Sequence, residues 1–398
     1  MNSLHLVESR YERLEQIPWW DQAKLQQAQV LVAGAGALGN EILKNLALLG
    51  AGRILIVDFD TVEISNLSRS VLFRMADRGL PKAKVATERL LEINPDIRVF
   101  PIEGDLRWEV GLGVYRRMDV VLGGLDSVGA RLGLNEMCWK VNVPWIDGGM
   151  NELSGIVRVF VPPEGACFEC NLSDQDYQQL NLRYSCQLLP RQDIVEGHTP
   201  TTPTIASVVA AWQVQEAVKW LHDKPVAASQ GVSYNGLTHN FFVVNYRRRE
   251  DCLAHETFED VLPLPEASAQ ISVEDLLSIL RQRLGVDVVV ELDREIVYGM
   301  SCPNCVTHTP MLQPLFRLTH RDSLCPQCDA ERSLHLTHHL DGREPFAEKS
   351  LSDLGIPPLH IMTAKGNNGR VWHFELTGDA KNGLLAEFLR GDEYHGHS

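Results

Sequence analysis

The sequence lacks a long hydrophobic run. No apolar stretch in its 398 residues reaches the roughly 18 needed to cross a bilayer, so a helical membrane protein is not expected. The first residues, MNSLHLVESRYERLEQ, lack the apolar centre of a secretory signal, and a cytoplasmic location is expected. Positive charge is also scarce. Lys and Arg number 37 against 52 Asp and Glu, for a formal net charge of −15. General nucleic-acid binding needs a basic surface, so that class is excluded, whereas a local basic pocket for a polyphosphate is not. No internal repeat is present.

What the chain does have is 44% hydrophobic residues, enough for an ordered globular protein of two or three domains. It also has nine cysteines, most of them patterned. Cys167/Cys170, Cys302/Cys305 and Cys325/Cys328 are C-x-x-C pairs, and Cys252 opens a C-x-x-H with His255. In a reducing compartment such pairs are zinc ligands rather than disulfides. Cys138 and Cys186 stand alone. Cys138 lies in a helical pattern and is expected in the core.

Apolar periodicity predicts a helical start over 1–28, then strands near Val30–Ala33, Arg53–Val57, Ile97–Ile102, Asp119–Gly124, Pro144–Ile146 and Gly155–Val161. Helices over Asn40–Leu49, Lys82–Ile93 and Ala130–Val141 alternate with them. That alternation predicts an α/β, Rossmann-like, mostly parallel sheet with helices on both faces. Residues 171–203 form a long polar loop before a helix from about Thr204 to Leu221, and loops of this length are usually functional. Strands near Val232–Asn235 and Phe241–Tyr246 close a first domain over 1–260. The Pro-rich stretch within 261–270 reads as a linker, and 271–390 as a smaller C-terminal α+β domain that binds zinc.

Gly34, Gly36 and Gly39 form G-x-G-x-x-G between the first strand and its helix, and Asp58 closes the second strand 19 residues after Gly39. Such a turn cradles a nucleotide, and the carboxylate can hold ribose hydroxyls. The glycines alone fit an NAD-dependent oxidoreductase equally well. The residues that follow, Asp60, Asn66, Arg69 and Lys82, have no use in a dehydrogenase. Cleaving the α–β phosphate bond of ATP loads charge onto pyrophosphate. Arg, Lys and a carboxylate-held magnesium stabilise that charge. Asp126, ending the apolar run VVLGGLD, is placed to hold the metal.

With these residues in order, the chain resembles the ThiF/MoeB/HesA superfamily, which includes the activating enzymes of ubiquitin and its relatives. The matching segments are RYERL (Arg10–Leu14), GAGALG, DFDTVEISNLSR, LPKAK (Leu80–Lys84), GLD, WIDGG (Trp145–Gly149), CFEC, TPTTPTIAS (Thr199–Ser207) and CLAH, covering about residues 8–256. The resemblance implies ATP-dependent adenylation of the C-terminal glycine of a ubiquitin-like protein. It implies that Asp58 and Asp60 meet ribose or metal, that Asn66, Arg69 and Lys82 meet phosphates, and that Asp126 binds magnesium. Arg13 would reach the phosphates of a partner subunit, which implies a homodimer.

Cys167, Cys170, Cys252 and His255 would form the family's structural zinc site. Members commonly show four cysteines there, and Cys3His is an equally ordinary closed set. Cys186 falls in the loop where the family places its thioester-forming or sulfur-transferring cysteine. Arg183 and Arg191 nearby favour its thiolate, although members that stop at the adenylate carry only a spare cysteine there. Cys302, Cys305, Cys325 and Cys328 have the spacing C-x2-C-x19-C-x2-C, a second zinc signal, while His308, His320, His335, His338 and His339 read as surface residues.

The expectation is an activating enzyme that passes its acyl group to Cys186, with the C-terminal region recruiting a conjugating enzyme. Three rivals remain: a sulfur-carrier adenylyltransferase serving thio-cofactor biosynthesis, an NAD-dependent oxidoreductase, and a non-catalytic adaptor that docks through its zinc domain.

Overall fold

A computed structural model of the chain describes residues 9–173, 200–381 and 384–389. They divide into two compact units. The first takes 9–106, 115–171 and 200–256, and the second takes chiefly 107–114 and the residues from 257 onward.

The first unit starts with two short helices, α1 (Glu12–Glu15) and α2 (Gln22–Gln27). The expected continuous helix is broken at Pro18, since the residue before a proline disfavours helical backbone. The chain restarts at Asp21, whose carboxylate accepts from Ala23 N and Lys24 N. Eight strands follow: β1 (Gln29–Ala33), β2 (Arg53–Val57), β3 (Arg98–Ile102), β4 (Val120–Gly123), β5 (Trp145–Asn151), β6 (Ser154–Phe160), β7 (Gln230–Asn235) and β8 (Asn240–Asn245). Their order is β3-β2-β1-β4-β5-β6-β7-β8. Strands β1 to β5 run parallel, and β6 to β8 continue antiparallel.

Val32 of β1 sits opposite Ile56 on one side and Leu122 on the other. On that face Val30, Val32, Ile54, Ile56 and Leu122 pack against α3 (Ala37–Leu49), α4 (Lys82–Ile93) and α7 (Pro203–Leu221). Leu31, Leu55 and Val121 point the other way and are also fully buried. Burial on both faces is why these strands read as continuous apolar runs. Two further helices are α5 (Leu112–Tyr115) and α6 (Val128–Lys140), which follows β4. The strand order reverses between β1 and β4. In open parallel sheets the ligand crevice lies at such a reversal, outside the carboxyl ends of the strands.

The second unit has a six-stranded sheet with order β11-β10-β13-β14-β9, and β12 also pairs with β10. Its strands are β9 (Leu262–Pro263), β10 (Val288–Cys302), β11 (Thr307–Pro314), β12 (Ser333–Leu340), β13 (Ile361–Gly366) and β14 (Val371–Glu375). Helix α8 (Val273–Leu284) starts at Ser272, whose hydroxyl accepts from Asp275 N at 3.0 Å. Its residues Val273, Leu276, Leu277 and Leu280 recur at helical spacing and cover Val290, Ile296, Leu340 and Phe374.

Two boundaries differ from the sequence reading. The stretch read as a linker belongs to the second unit: β9 pairs with β14, and Leu264 and Ala267 are buried. Its prolines are tolerated because β9 is the edge strand of the sheet. Residues 107–114 leave the first domain as read. Trp108 stacks on Phe316 at 4.9 Å, and its carbonyl accepts from Arg294 Nη1 at 2.9 Å. Cys138, expected in the core, is fully buried.

Candidate active site

The chain leaves β1 through the glycine turn. Gly34 has φ +92°, and a Cβ there would stand 2.8 Å from the carbonyl oxygen of Gly124. A Cβ on Gly39 would stand 1.9 Å from the carbonyl oxygen of Gly34. Glycine alone meets both demands. Gly36 differs, since a Cβ there would meet nothing within 4 Å. It is the N-cap of α3 and has no side chain to occupy the space in front of the helix, where phosphate oxygens can approach the helix N-terminus.

β2 carries Asp58 to the same turn. Its Oδ2 accepts from Ala35 N at 2.6 Å, and its Oδ1 accepts from Asp60 N at 2.8 Å. Burial raises the Asp58 pKa above the ordinary value, against the lowering effect of those hydrogen bonds and of the Lys82 charge. Lys82 opens α4, where its N–H donates to Asp60 O at 2.9 Å. Its Nζ lies 2.7 Å from Asp60 Oδ2. The structure therefore brings together the glycine turn, Asp58, Asp60 and Lys82.

Asn66 and Arg69 lie in the segment between β2 and α4. Asn66 Oδ1 accepts from Glu63 N at 2.9 Å, and Arg69 Nη1 donates to Ser65 O at 3.1 Å. The tie from this segment to the glycine turn is Asn40, which the sequence reading passed over. Its Nδ2 donates to Ala35 O at 2.6 Å and Gly36 O at 3.0 Å, and its Oδ1 accepts from Leu72 N at 2.9 Å. The signal for it was a polar residue on the otherwise apolar face of α3.

Asp126 follows β4 and is exposed. Among the described residues no hydrogen bond or ion pair engages its carboxylate. An exposed carboxylate just after β4, next to the strand reversal, fits a magnesium ligand on a polyphosphate. Arg13 is exposed on α1. Cys186, Arg183 and Arg191 lie outside the described residues.

A buried ionic group is tied to Leu125, the residue before Asp126, through Arg131. Asp147 of β5 is fully buried; its Oδ1 accepts from Arg131 Nε at 2.9 Å, and its Oδ2 from Arg158 Nε at 2.8 Å and Nη2 at 2.6 Å. Gln213 Nε2 donates to Gly123 O and Ile146 O, each at 2.9 Å. Sequence reasoning matched WIDGG but gave Asp147 no task. An Asp inside an apolar strand was the signal.

The two sulfur-rich sets also assemble. Cys167 Sγ lies 3.7 Å from Cys170 Sγ and 3.6 Å from Cys252 Sγ, and Cys170 Sγ lies 3.3 Å from His255 Nε2. Four donors about 2.0–2.3 Å from one zinc stand roughly 3.3–3.8 Å apart in a tetrahedron, so the set fits that ion. Helix α6 supports it: Asn135 Oδ1 accepts from Phe168 N at 3.0 Å, and the Trp139 ring lies 5.0 Å from that of His255.

In the second unit Cys328 Sγ lies 3.6 Å from Cys302 Sγ and 3.4 Å from Cys305 Sγ, with Cys325 Sγ 3.9 Å from Cys305 Sγ. This set also has tetrahedral spacing, with four thiolates and no open position. The neighbouring histidines divide. His308, His338 and His339 are exposed as read, whereas His320 and His335 are half-buried. His335 Nε2 lies 2.7 Å from Ser301 Oγ.

Among the described residues no helix is long and apolar enough to cross a membrane. The profile of the ThiF family matches residues 9–254, ending before the bulk of the second unit. The sulfur carrier protein ThiS adenylyltransferase of Escherichia coli is 30% identical over 247 residues, covering 61% of this chain and 93% of that protein. SUMO-activating enzyme subunit 2 of Dictyostelium discoideum is 40% identical over 148 residues, covering 37% of this chain but 22% of that protein. The NEDD8-activating enzyme E1 catalytic subunit of Schizosaccharomyces pombe is 36% identical over 150 residues, covering 36% of this chain and 34% of that protein. In fold, the chain is similar to the crystal structure of E. coli MccB with ATP, at a TM-score of 0.51 and 24% identity over 62% of this chain and 74% of that one.

Proposed function

We propose that this chain, which belongs to the ThiF family, is an enzyme that adenylates the C-terminal glycine of a ubiquitin-like protein with ATP. The observation that supports this reading is the meeting of the glycine turn with Asp58 and the Asp60–Lys82 pair, with Asp126 following the strand at the order reversal and, among the described residues, carrying no partner on its carboxylate.

In the proposed reaction the glycine carboxylate attacks the α-phosphorus. An oxygen–phosphorus bond forms to the acyl adenylate, and the bond to the β-phosphate oxygen breaks, releasing pyrophosphate. The open N–H groups of α3 bind phosphate oxygens, and Asp58 holds the ribose. Lys82, Arg69 and Asn66 engage the phosphates, joined by Arg13 from the second subunit of a homodimer. Asp126 would hold magnesium, and Asp60 would meet ribose or the metal. When bound, the ion neutralises charge on the leaving group.

In the second step the Cys186 thiolate attacks the acyl carbon, forming a thioester and releasing AMP. A conjugating enzyme then accepts the acyl group. The two zinc sites are structural, and the cell compartment is the cytoplasm. The NAD-dependent reading loses its basis with the family assignment.

One observation favours a second branch. The chain covers 93% of the ThiS adenylyltransferase but 22% of SUMO-activating enzyme subunit 2. On that branch the adenylate serves sulfur transfer.

Pyrophosphate exchange into ATP, measured with candidate small proteins that end in glycine, tests the first step. Exchange is expected only with the cognate carrier and is expected to vanish in Asp126→Ala. No exchange with any carrier rejects the reading and favours the adaptor, and exchange undiminished in Asp126→Ala rejects the metal role of Asp126. A carrier adduct with the mass of a thioester, lost in Cys186→Ala with exchange retained, assigns the conjugation branch. Its absence with the cognate carrier assigns the sulfur branch.

A further inference from the structure

Asp126 has no protein partner for its carboxylate among the described residues. Among the described residues, the contacts that hold its segment are those of its two neighbours. Ser127 is anchored by capping α6, its Oγ accepting from Ala130 N at 3.1 Å. Leu125 is anchored by Arg131, one turn into α6. Arg131 Nη2 donates to Leu125 O at 2.6 Å and to Gly148 O at 3.1 Å, while its Nε donates to Asp147 Oδ1 at 2.9 Å. One guanidinium thus joins the chain leaving β4 to the body of β5. Its own direction is held by a carboxylate that is fully buried.

We infer that Arg131 is a positioning residue for the metal at Asp126: it fixes the Leu125 carbonyl and so holds the Asp126 carboxylate in place. The inference rests on the adenylation reading of this site. Partners behind a metal ligand commonly tune metal affinity by about 10–100-fold. Only a planar fork can serve Asp147, Leu125 O and Gly148 O together, and a lysine cannot. Removing the Arg131 guanidinium leaves Asp147 paired with Arg158 through both Nε and Nη2, so no buried carboxylate is left without a cation.

The test compares the wild-type chain with Arg131→Met, Arg131→Lys and Asp126→Asn. Mn2+ binding in the presence of ATP is measured by electron paramagnetic resonance, and the magnesium dependence of pyrophosphate exchange is measured alongside. Expected are a fall in Mn2+ affinity of about tenfold in both Arg131 variants and loss of this site in Asp126→Asn. The magnesium needed for half-maximal exchange rises by the same factor, and saturating magnesium restores most of kcat. A merely structural role lowers kcat without moving the magnesium dependence. Wild-type Mn2+ affinity in a folded Arg131→Lys chain overturns the inference, even if Arg131→Met fails to fold. A wild-type chain that binds Mn2+ with ATP but exchanges no pyrophosphate with any carrier overturns the proposed function instead.

Discussion

Lys82 Nζ lies 2.7 Å from Asp60 Oδ2. Two residues that the sequence assigns separately, one to phosphates and one to ribose or metal, are partners. The Lys82 side chain is 10% exposed and that of Asp60 52%. With the Asp60 end of the ion pair open to solvent, the pair contributes at most about 1 kcal/mol to stability. Its use is positional, holding the ammonium beside the end of β2.

Lys82→Ala is therefore expected to lower carrier-dependent pyrophosphate exchange by about 10²–10³-fold, with urea unfolding shifted by no more than about 1 kcal/mol. Asp60→Asn keeps the ammonium and falls less. Equal losses in the two variants would mean that Lys82 acts only through the pair.

Gly39 and Gly36 separate packing from binding. Gly39→Ala forces a Cβ to 1.9 Å from Gly34 O, and overpacking of this kind costs about 1–3 kcal/mol in urea unfolding. Gly36→Ala meets nothing within 4 Å and is expected to cost less than about 1 kcal/mol. It weakens ATP binding by filling the space in front of α3. Calorimetric titration with ATP checks the second half.

Elemental analysis is expected to find two zinc ions per chain, one for each four-donor set. His255→Cys keeps both, because four thiolates serve as well as three with imidazole. His255→Ala retains the second site alone, with a lower melting temperature, and Cys305→Ser retains the first alone. Two zinc ions surviving in His255→Ala would place the first ion elsewhere.

Asp58 gives a pH dependence with a definite sign. Burial raises its folded pKa above the ordinary value, so the folded form binds the proton more tightly than the unfolded one. The stability this group contributes is present below about pH 3.9 and is lost as pH rises through its folded pKa. Asp58→Asn removes that loss. Relative to wild type the variant is expected to be more stable at pH 8 than at pH 4, measured as a difference in urea midpoint, while its ATP affinity falls at both. A constant difference across that range would sink the assignment.

Much of the first unit was legible because its signals are local. Lys82–Ile93 and Arg53–Val57 form the expected helix and strand to the residue, since one turn of spacing or one buried run decides each. The zinc donors were legible for the same reason within each C-x-x-C. Residues 107–114 were not: Trp108 and its partner Phe316 lie 208 residues apart in sequence, and no local pattern marks such a contact. The 261–270 stretch misled because prolines mark edge strands as well as linkers.

The sequence by itself determined which elements form and which donor types are available, because backbone propensity and ligand chemistry act over a few residues. Only the tertiary structure decided which of those residues meet. Gly34 touches Gly124, and Arg131 reaches Leu125 O and Asp147, because β4 pairs beside β1 and β5 beside β4. That adjacency comes from burying the apolar faces of strands far apart in the chain. It brings a glycine turn and charged residues from separate elements together.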